Sequence, residues 1–473
     1  MNRIDKLLYH TSIFILGNLG SKLIAFFMVP LYTTVLSTDQ YGTVDLLNAT
    51  VMLVLPVITL AVGQGIARFV VGENKQAEKS TVLTAVFVIN ILAICASVIF
   101  WPFLTHLAFL KGMLPFFYLM LILGIFNETI ANFIRAIGLV KTYALSGILQ
   151  TMLLVTFNLL FLLTFKWALI GYLMASILAT TLTLLYLIYQ GRLWRYIDFK
   201  LPWRLKAREL IQYSAPIIPN TIMWWLMNDT TRYCLLIFVG LKANGIFGVA
   251  NKIPMLLAMF VGIFSQAWQL SAFEESKAQD KGEYYSQIFE KMQMMLFIVG
   301  SGVLVVTLPL AQFLFRGTFI TAWQSVPALL IAVIYQSLAV FLGTHYAVAK
   351  VTKRIFATTI YTGALALLLN IILIPLFGLP AAGIATALSF VTLFALRIYD
   401  TQKYVTTHVN WPLFLGNNTI ILVQTGVLFL LWQRMILVVV IETLIFLSLC
   451  WVNRKSILQM GLYLLGKIEK RSS

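Results

Sequence analysis

The side chains best suited to do chemistry in this chain are charged residues inside long apolar segments. Lys22, Arg232 and Lys252 each lie within such a segment, and Asp229 precedes Arg232 by three positions. On a helix, a spacing of i,i+3 allows Asp229 and Arg232 to form an ion pair. An ionisable group at the centre of a membrane helix costs about 2.5–3.5 kcal/mol, so it indicates a wet cavity or a partner.

We predict that these cations form one anion-binding site. Arg offers a planar fork of donors and Lys a point charge, and both suit phosphoryl oxygens. A positive chamber with low-dielectric walls also concentrates anions, which favours phosphate or diphosphate as the ligand. The candidate binding residues are Asn18, Lys22, Arg68, Trp225, Asn228, Arg232 and Lys252. The alternative is that Asp229 neutralises Arg232, that Lys22 snorkels, and that Arg68 only ends a helix at the headgroups.

Three carboxyl groups also lie more than one helical turn inside an apolar segment. Asp229 and Glu128 are candidates for binding a coupling ion, H⁺ or Na⁺, although Glu128 beside Asn127 and Asn132 could equally be a hydrogen-bonded structural carboxyl. Glu442 stands alone in its apolar segment, and the sequence assigns it no role.

Signatures of enzymes and metal sites are missing from the sequence. The four histidines are dispersed, and no HExxH, GxSxG or Walker loop is found. The three cysteines lie in apolar segments without CxxC spacing, which predicts buried thiols. We therefore expect no catalytic residue, no metal site and no bound cofactor.

The elements that must position these residues are about fourteen apolar segments, each long enough for a membrane helix. The tails and every second gap between segments, counted together with Arg135, Lys291 and Arg397 near the segment ends, hold 25 Lys and Arg, whereas the opposite gaps hold 5. Short cytoplasmic loops retain positive charge, so both termini are predicted to be cytoplasmic. The segments run approximately over residues 10–36, 43–70, 81–105, 113–136, 142–165, 167–190, 210–240, 244–272, 287–311, 322–348, 355–376, 379–399, 412–433 and 435–452.

Composition agrees with this fold class. The chain has 473 residues, of which 60% are hydrophobic and 11% charged, and its mean hydropathy is +0.90. Such a chain has too little polar surface to cover a soluble domain, so we predict an all-α integral membrane protein. Its net charge of +17 is accounted for by loops that meet anionic headgroups, and no basic stripe outside the bilayer predicts nucleic-acid binding.

The chain divides into two predicted lobes. Residues 1–190 form a six-helix lobe, 191–209 a basic cytoplasmic linker, 210–400 a second six-helix lobe, and 401–473 a C-terminal helix pair with a basic tail. A faint internal repeat supports the pseudo-symmetry. One hairpin is predicted to turn over residues 36–44 through Tyr41 and Gly42, and another over residues 239–249 through Phe247 and Gly248. In transporters built from repeats, the substrate site lies between them.

Four stretches resemble a known family. They are PLYTTVLSTDQYG (30–42), SAPIIPNTIMWWLMNDTTRY (214–233), FGVANKIPMLL (247–257) and FSQAWQLSAFEES (264–276). They are similar to Wzx-type polysaccharide flippases of the multidrug/oligosaccharidyl-lipid/polysaccharide exporter superfamily. The chain departs from the family in one place, since Thr230 and Thr231 separate Asp229 from Arg232 where a tight Asp–Arg pair is common.

The resemblance implies a central cavity lined by helices 1, 2, 7 and 8. It also implies a lipid-linked oligosaccharide on undecaprenyl diphosphate as substrate, with Lys22, Arg232 and Lys252 holding the diphosphate. The protein would then be a monomeric, multi-pass flippase of the bacterial inner (plasma) membrane, with a polysaccharide polymerase or assembly machinery as partner. A lipid II flippase and a cation-coupled multidrug exporter of the same superfamily remain as alternatives.

Overall fold

The computed structural model describes residues 20, 23–99, 101–275, 280–454 and 456–458, and all regular elements in these ranges are helical. The chain forms two compact units. The first comprises Met1–Leu236 and Gly240–Gly248, and the second comprises Ile237–Val239 and Val249–Ser473. This division falls later in the chain than the linker, so the assignment of residues 210–400 to a second repeat stays a prediction.

Among the described residues, the first unit contains ten α-helices of seven or more residues. The last two of these helices belong to it only as far as Leu236 and Gly248. In chain order they are α1 (Val29–Val35), α2 (Thr38–Ile58), α3 (Val62–Val70), α4 (Gln76–Val98), α5 (Leu114–Ala136), α6 (Val140–Asn158), α7 (Ala168–Gly191), α8 (Trp203–Ser214), α9 (Ile218–Phe238) and α10 (Leu241–Ala250). The α6 helix continues as a π-helical stretch over Leu159–Thr164.

The predicted segment over residues 43–70 is broken in the structure. Residues 43–70 divide into α2 and α3, because Leu60 and Ala61 both adopt a left-handed conformation with φ of 52°. That conformation costs a residue with a side chain about 1–2 kcal/mol. Because of this break, α3 begins as a separate helix, and its N-terminal turn lies beside α5.

Two apolar clusters hold the first unit together. One joins α3, α4, α5, α7 and α8, and the other joins α2, α5 and α7. In a membrane such packing depends on close side-chain contact rather than on exclusion of water. Fully buried members include Val62, Ile66, Phe133, Leu187 and Leu210 in the first cluster and Leu46, Leu47, Phe117, Leu121 and Leu173 in the second.

The basic linker is more ordered than the sequence predicted. A 3₁₀ turn occupies Leu193–Arg195, and α8 begins at Trp203, inside the predicted linker. The next helix, α9, begins only at Ile218, because Pro216 and Pro219 prevent α8 from continuing into it. The buried face of α8, at Leu210 and Ser214, packs against α3 and α4.

The second unit contains the remaining helices. They are α11 (Pro254–Glu274), α12 (Lys281–Val305), α13 (Thr307–Leu314), α14 (Val326–Val348), α15 (Thr352–Phe377), α16 (Leu379–Thr401), α17 (Trp411–Leu431) and α18 (Met435–Val452), with a 3₁₀ helix over Gly317–Ser325. The closest packing is between α14, α15 and α16. The C-terminal pair of α17 and α18 packs against α12.

The prediction of an all-α, multi-pass membrane protein is confirmed. Within the described ranges, 11 helices are long and apolar enough to cross a membrane, or up to 12 if a bent helix pair is counted as one span. The α9 helix has 21 residues, which is a membrane-spanning length, but its Asn, Asp and Arg lower its hydropathy. Most of the first segment lies outside the described residues, so the count of fourteen and the side of the termini stay predictions.

The predicted hairpin turns are wrong in detail. Tyr41 and Gly42 lie inside α2, and Phe247 and Gly248 lie inside α10. The chain actually reverses at residues 36–37 and 239–240. Each Gly is therefore a helix-packing position rather than a turn residue.

Candidate functional site

The start of α2 is fixed by a capping box. The Ser37 hydroxyl accepts a hydrogen bond from the Gln40 backbone N–H at 3.2 Å, and the Gln40 side chain accepts one from the Ser37 N–H at 3.0 Å. These two bonds satisfy N–H groups that a helix start leaves free. The cap sets the register in which Asp45 points from α2 toward α9.

A three-residue ion cluster joins α2 to α9. The Nε of Arg232 donates to Asp45 Oδ2 at 2.7 Å, and its Nη1 donates to Asp229 Oδ1 at 2.6 Å and to the backbone carbonyl of Asn228 at 3.1 Å. The pair with Asp229 confirms the contact expected from the i,i+3 spacing. The partner from α2, 187 positions away, is new.

The charges of the cluster do not cancel. Two carboxylates face one guanidinium, so the cluster carries one net negative charge when all three groups are ionised. Each of the three side chains keeps 15–16% of its surface exposed. The cluster is thus largely but not completely buried.

Two further hydrogen bonds flank the ion cluster. The indole Nε1 of Trp225 donates to the Ala49 carbonyl at 3.0 Å, and the Tyr233 and Thr50 hydroxyls lie 2.6 Å apart. Together with the cluster, they join α2 to α9 over two turns.

The beginning of α10 approaches α2 without room for side chains. A Cβ at Gly245 would overlap the carbonyl oxygen of Thr38, and one at Gly42 would lie 3.0 Å from the Gly245 nitrogen. A Cβ at Gly248 would lie 2.9 Å from the carboxyl carbon of Asp45. Asn244 adds a hydrogen bond from its Nδ2 to the Gly42 carbonyl at 3.0 Å. We call these contacts of α2 with α9 and α10 the α2 seam.

The seam brings together some of the predicted site residues. Trp225 and Arg232 contact α2 directly, whereas Asp229 and the Asn228 carbonyl bind Arg232 from its own helix. Arg68 does not, because it is an exposed residue in the last turn of α3. Lys252 is half-buried in the turn between α10 and α11 and belongs to the second unit. Lys22 and Asn18 lie outside the described residues.

Glu128 belongs to α5, and its carboxyl group lies beside the N-terminal turn of α3. Its carboxyl carbon would be 3.1 Å from a Cβ at Gly63, and Gln64 hydrogen-bonds to the carboxyl. Asn132, one turn along α5, donates to the Gly63 carbonyl at 3.2 Å. A helix N-terminus stabilises a nearby carboxylate. Binding of a coupling ion at Glu128 stays a prediction, and the hydrogen-bonded surroundings also fit the structural alternative.

Two residues are missing from the predicted site. Asp45 is not among its candidates, since nothing along the chain links it to Arg232. Arg397 was counted with a cytoplasmic gap, yet it is 1% exposed inside α16. Its guanidinium donates to the Ala339 carbonyl at 2.7 Å and to the Thr359 and Thr358 hydroxyls at 3.1 and 3.3 Å. It directly follows Leu396 inside the predicted segment 379–399, but this position does not indicate the direction of its side chain.

Comparisons with known proteins identify a matching family and solved structures with a similar fold. A family model described as polysaccharide biosynthesis protein matches residues 7–269. No curated protein matches the chain. Among solved structures, lipid II flippase MurJ in an inward closed conformation superposes with a TM-score of 0.67 at 14% identity, covering 94% of this chain and 99% of MurJ.

Two transporters are also similar. A multidrug resistance MATE family transporter of the MOP superfamily, inward-facing, has a TM-score of 0.66 at 13% identity and covers 81% of this chain and 95% of its own. A MOP superfamily transporter from Pyrococcus furiosus has a TM-score of 0.60 at 13% identity, covering 83% and 95%. At these identities the likeness establishes the fold.

The helical fold defines a multi-pass membrane protein whose architecture is similar to that of a solved MATE family transporter and of a solved lipid II flippase. The family match covers more than half of the 473 residues, so the chain belongs to the polysaccharide biosynthesis protein family. The resemblance to Wzx-type flippases is confirmed at this level.

Proposed function

We propose that this protein moves an oligosaccharide linked to undecaprenyl diphosphate from the cytoplasmic to the outer leaflet of the bacterial inner membrane. The family match supports a role in polysaccharide synthesis. The similarity to a lipid II flippase over 94% of the chain supports a lipid-linked substrate. The flipped lipid would then feed a polysaccharide polymerase or assembly machinery, with the flippase acting as a monomer.

The observation that carries the proposal is the ion cluster of Arg232. Phosphoryl and carboxylate oxygens accept from a guanidinium in the same two-pronged geometry. A diphosphate could therefore replace Asp45 or Asp229 as the partner of Arg232 without leaving a bare cation in the membrane. Lys22 and Lys252 are proposed to add charge for the second phosphate, and Asn18, Asn228, Trp225 and Arg68 to contact the headgroup.

We propose that the α2 seam acts as the outer gate of an alternating-access cycle. With a cytoplasmic N-terminus, Asp45 lies seven residues, or about 10 Å, from the outer start of α2. The seam would then be closed toward the outside in this conformation. A diphosphate that takes Arg232 away from Asp45 would weaken the seam and favour its opening.

The driving force is open to two proposals. An inside-negative potential favours outward movement of an anion by about 2.3 kcal/mol per charge per 100 mV. Entry of H⁺ or Na⁺ is the other source, with Asp229 or Glu128 as the binding group. No cofactor is needed in either case.

Two alternatives each have a supporting observation. The extent of the match to MurJ favours lipid II as substrate. The net negative charge of the Asp45–Arg232–Asp229 cluster favours a cation, as a multidrug exporter would carry. A peptidoglycan precursor, a capsule-type glycolipid and a cationic drug are chemically distinct, so one experiment separates them.

The test is to delete the gene and to extract the lipid-linked intermediates of the host. The proposal expects an undecaprenyl-diphosphate oligosaccharide to accumulate on the cytoplasmic face. Wild type should clear it on re-expression, as should Arg204→Gln, which removes an equal charge from the exposed surface of α8. Arg232→Gln should not clear it at equal membrane abundance. Accumulation of lipid II, or drug sensitivity without any accumulated lipid, would reject the proposal in favour of the corresponding alternative.

A further inference from the structure

The α18 helix contains a carboxyl group with no partner. Glu442 is 0% exposed, and neither of its carboxyl oxygens has a hydrogen-bond partner among the described residues. It lies seven residues, or about 10 Å, from the start of α18, at the interface of the C-terminal helix pair. Burial of a polar group without a hydrogen bond is costly, so this side chain requires a physical explanation.

The nearest polar neighbour is Gln424 on α17. It is also 0% exposed, its Nε2 lies 3.5 Å from the Glu442 backbone carbonyl, and its side chain lies beside the carboxyl without an aligned hydrogen bond to it. The Oε1 of Gln424 lacks a partner as well. Three acceptor oxygens without a donor therefore lie in one buried layer.

A second polar layer in the same helix pair shows how such groups are satisfied. Asn417 on α17 and Asn453 after α18 exchange amide hydrogen bonds of 2.9 and 3.4 Å. Donors and acceptors are equal in number there. The Glu442 layer is one donor short, and a single proton on the carboxyl corrects this, since its O–H can donate to Gln424 Oε1.

Among the described residues, no cation forms an ion pair with Glu442. The α17 helix has no charged residue, and those of α12, namely Lys281, Glu283, Glu290 and Lys291, all lie in its first eleven residues. Arg434 precedes α18 and is exposed. On the next turn, a Cβ added at Gly302 of α12 would lie 3.6 Å from a ring carbon of Phe446, so α12 and α18 meet there through an apolar contact. A carboxylate here would cost several kcal/mol more than the neutral acid.

We propose that Glu442 is a proton-binding site of the C-terminal helix pair. With α17 and α18 closed on α12, the acid keeps its proton and donates it to Gln424. When this interface opens, the O–H bond breaks, the proton passes to water, and a hydrated carboxylate remains until closure restores the acid. The helix pair is suited to such opening, because 28% of the α17 span and 17% of the α18 span are buried, against 56% for α12. The proposal deepens the proposed function by supplying a coupling ion, H⁺.

Labelling with dicyclohexylcarbodiimide tests the site directly, because this reagent modifies protonated carboxyls in apolar surroundings. The full-length protein in lipid nanodiscs is treated at neutral pH, and the modified residues are identified by mass spectrometry. An exposed glutamate is protonated in about one molecule in 500 at this pH. We expect Glu442 to be modified at least about tenfold more than the exposed Glu283, its matched control. Equal or absent modification of Glu442 in the folded protein would overturn the proposal.

A second arm tests coupling. Proteoliposomes that contain wild type or Glu283→Gln should flip a fluorescent polyprenyl-diphosphate glycolipid faster with an imposed pH gradient than without one. Glu442→Gln should flip at the rate seen without a gradient. An equal response of Glu442→Gln and wild type rejects the coupling. Modification of Glu442 in a protein that flips no lipid would instead reject the proposed function and leave the proton site standing, so the two failures are distinguishable.

Discussion

Two arginines inside membrane helices are held in opposite ways. Arg232 keeps 16% of its side chain exposed and is bound by two carboxylates. Arg397 is 1% exposed, and its guanidinium is bound by one carbonyl and two hydroxyls, with no carboxylate within ion-pair distance in the described structure. Gly343 leaves the space that its Nη1 occupies.

The difference indicates which arginine can exchange partners. The acceptors of Arg397 are satisfied without it, because Thr358 and Thr359 also donate to helix carbonyls one turn back. Asp45 and Asp229 have no such second cation among the described residues. Arg397 is therefore held by three neutral acceptors, which we call its neutral cage, and it joins α14, α15 and α16. Arg232 is instead held by carboxylates, which an anionic ligand can replace. If burial alone were used to choose the ligand-binding arginine, Arg397 would be chosen instead of Arg232.

Replacing Arg232 should have the largest effect on stability. Arg232→Met leaves two buried carboxylates without a cation, and breaking a buried pair in this way costs about 3–5 kcal/mol. The free energy of unfolding in mixed micelles measures this cost. The triple variant with Asp45→Asn and Asp229→Asn should regain most of it, because no charge is left unpaired. A triple variant as unstable as the single one would show that the cluster charges do not matter.

Widening the α2 seam should have the next largest effect. Gly245→Ala places a methyl group on the Thr38 carbonyl, and overpacking of this kind costs about 1–3 kcal/mol. Cys234 is buried on α9 and reports on the seam, so its maleimide labelling should accelerate in a Cys95→Ser, Cys450→Ser background. Gly262→Ala is the control, since a Cβ there meets nothing within 4 Å. Labelling that is equally fast in both variants would mean that the seam does not cover Cys234.

The tyrosine hydroxyl of the seam should matter less. Tyr233→Phe removes the 2.6 Å contact with Thr50, but Thr50 still donates to the Leu46 carbonyl, so we expect a loss of about 0.5–1.5 kcal/mol. Tyr335→Phe removes an equally short bond, to Asn418 in the second unit. Both variants should be destabilised alike, while only Tyr233→Phe should accelerate Cys234 labelling. Acceleration by both would assign the effect to general loosening.

The smallest effect is expected at the most buried arginine. Arg397→Met removes the desolvation penalty of a charge and leaves its former acceptors satisfied, so stability should change by about 1 kcal/mol or less. Unfolding in mixed micelles beside Arg232→Met gives the direct comparison. A loss as large as that of Arg232→Met would show that the neutral cage of Arg397 is a necessary anchor of α14, α15 and α16.

The sequence predicts the local parts of this molecule well. Apolar lengths gave the membrane helices, and the i,i+3 spacing gave the contact of Asp229 with Arg232. Contacts across the chain could not be found in this way. Asp45 meets Arg232 over 187 positions, and the close packing of Gly42 and Gly245 joins α2 to α10, the helix that follows α9.

Two further features had no readable signal. The break between α2 and α3 falls at Leu60 and Ala61, which carry no helix-breaking side chain, so only the surrounding packing can hold them left-handed. Arg397 was counted with the cytoplasmic charges because counting by position along the chain ignores the direction of a side chain. In the folded unit, that side chain turns into the helix bundle instead of toward the loop.

Competition between carboxylates and diphosphate for Arg232 is measured most directly by the affinity of a short-chain polyprenyl diphosphate. Native mass spectrometry of the wild type and of the Asp45→Asn, Asp229→Asn variant would give both affinities. The account predicts that the variant binds at least about tenfold more tightly, since about 1.4 kcal/mol is a modest value for one close charge pair. Adding Arg232→Gln should abolish that gain. An affinity unchanged by removing both carboxylates would contradict the account.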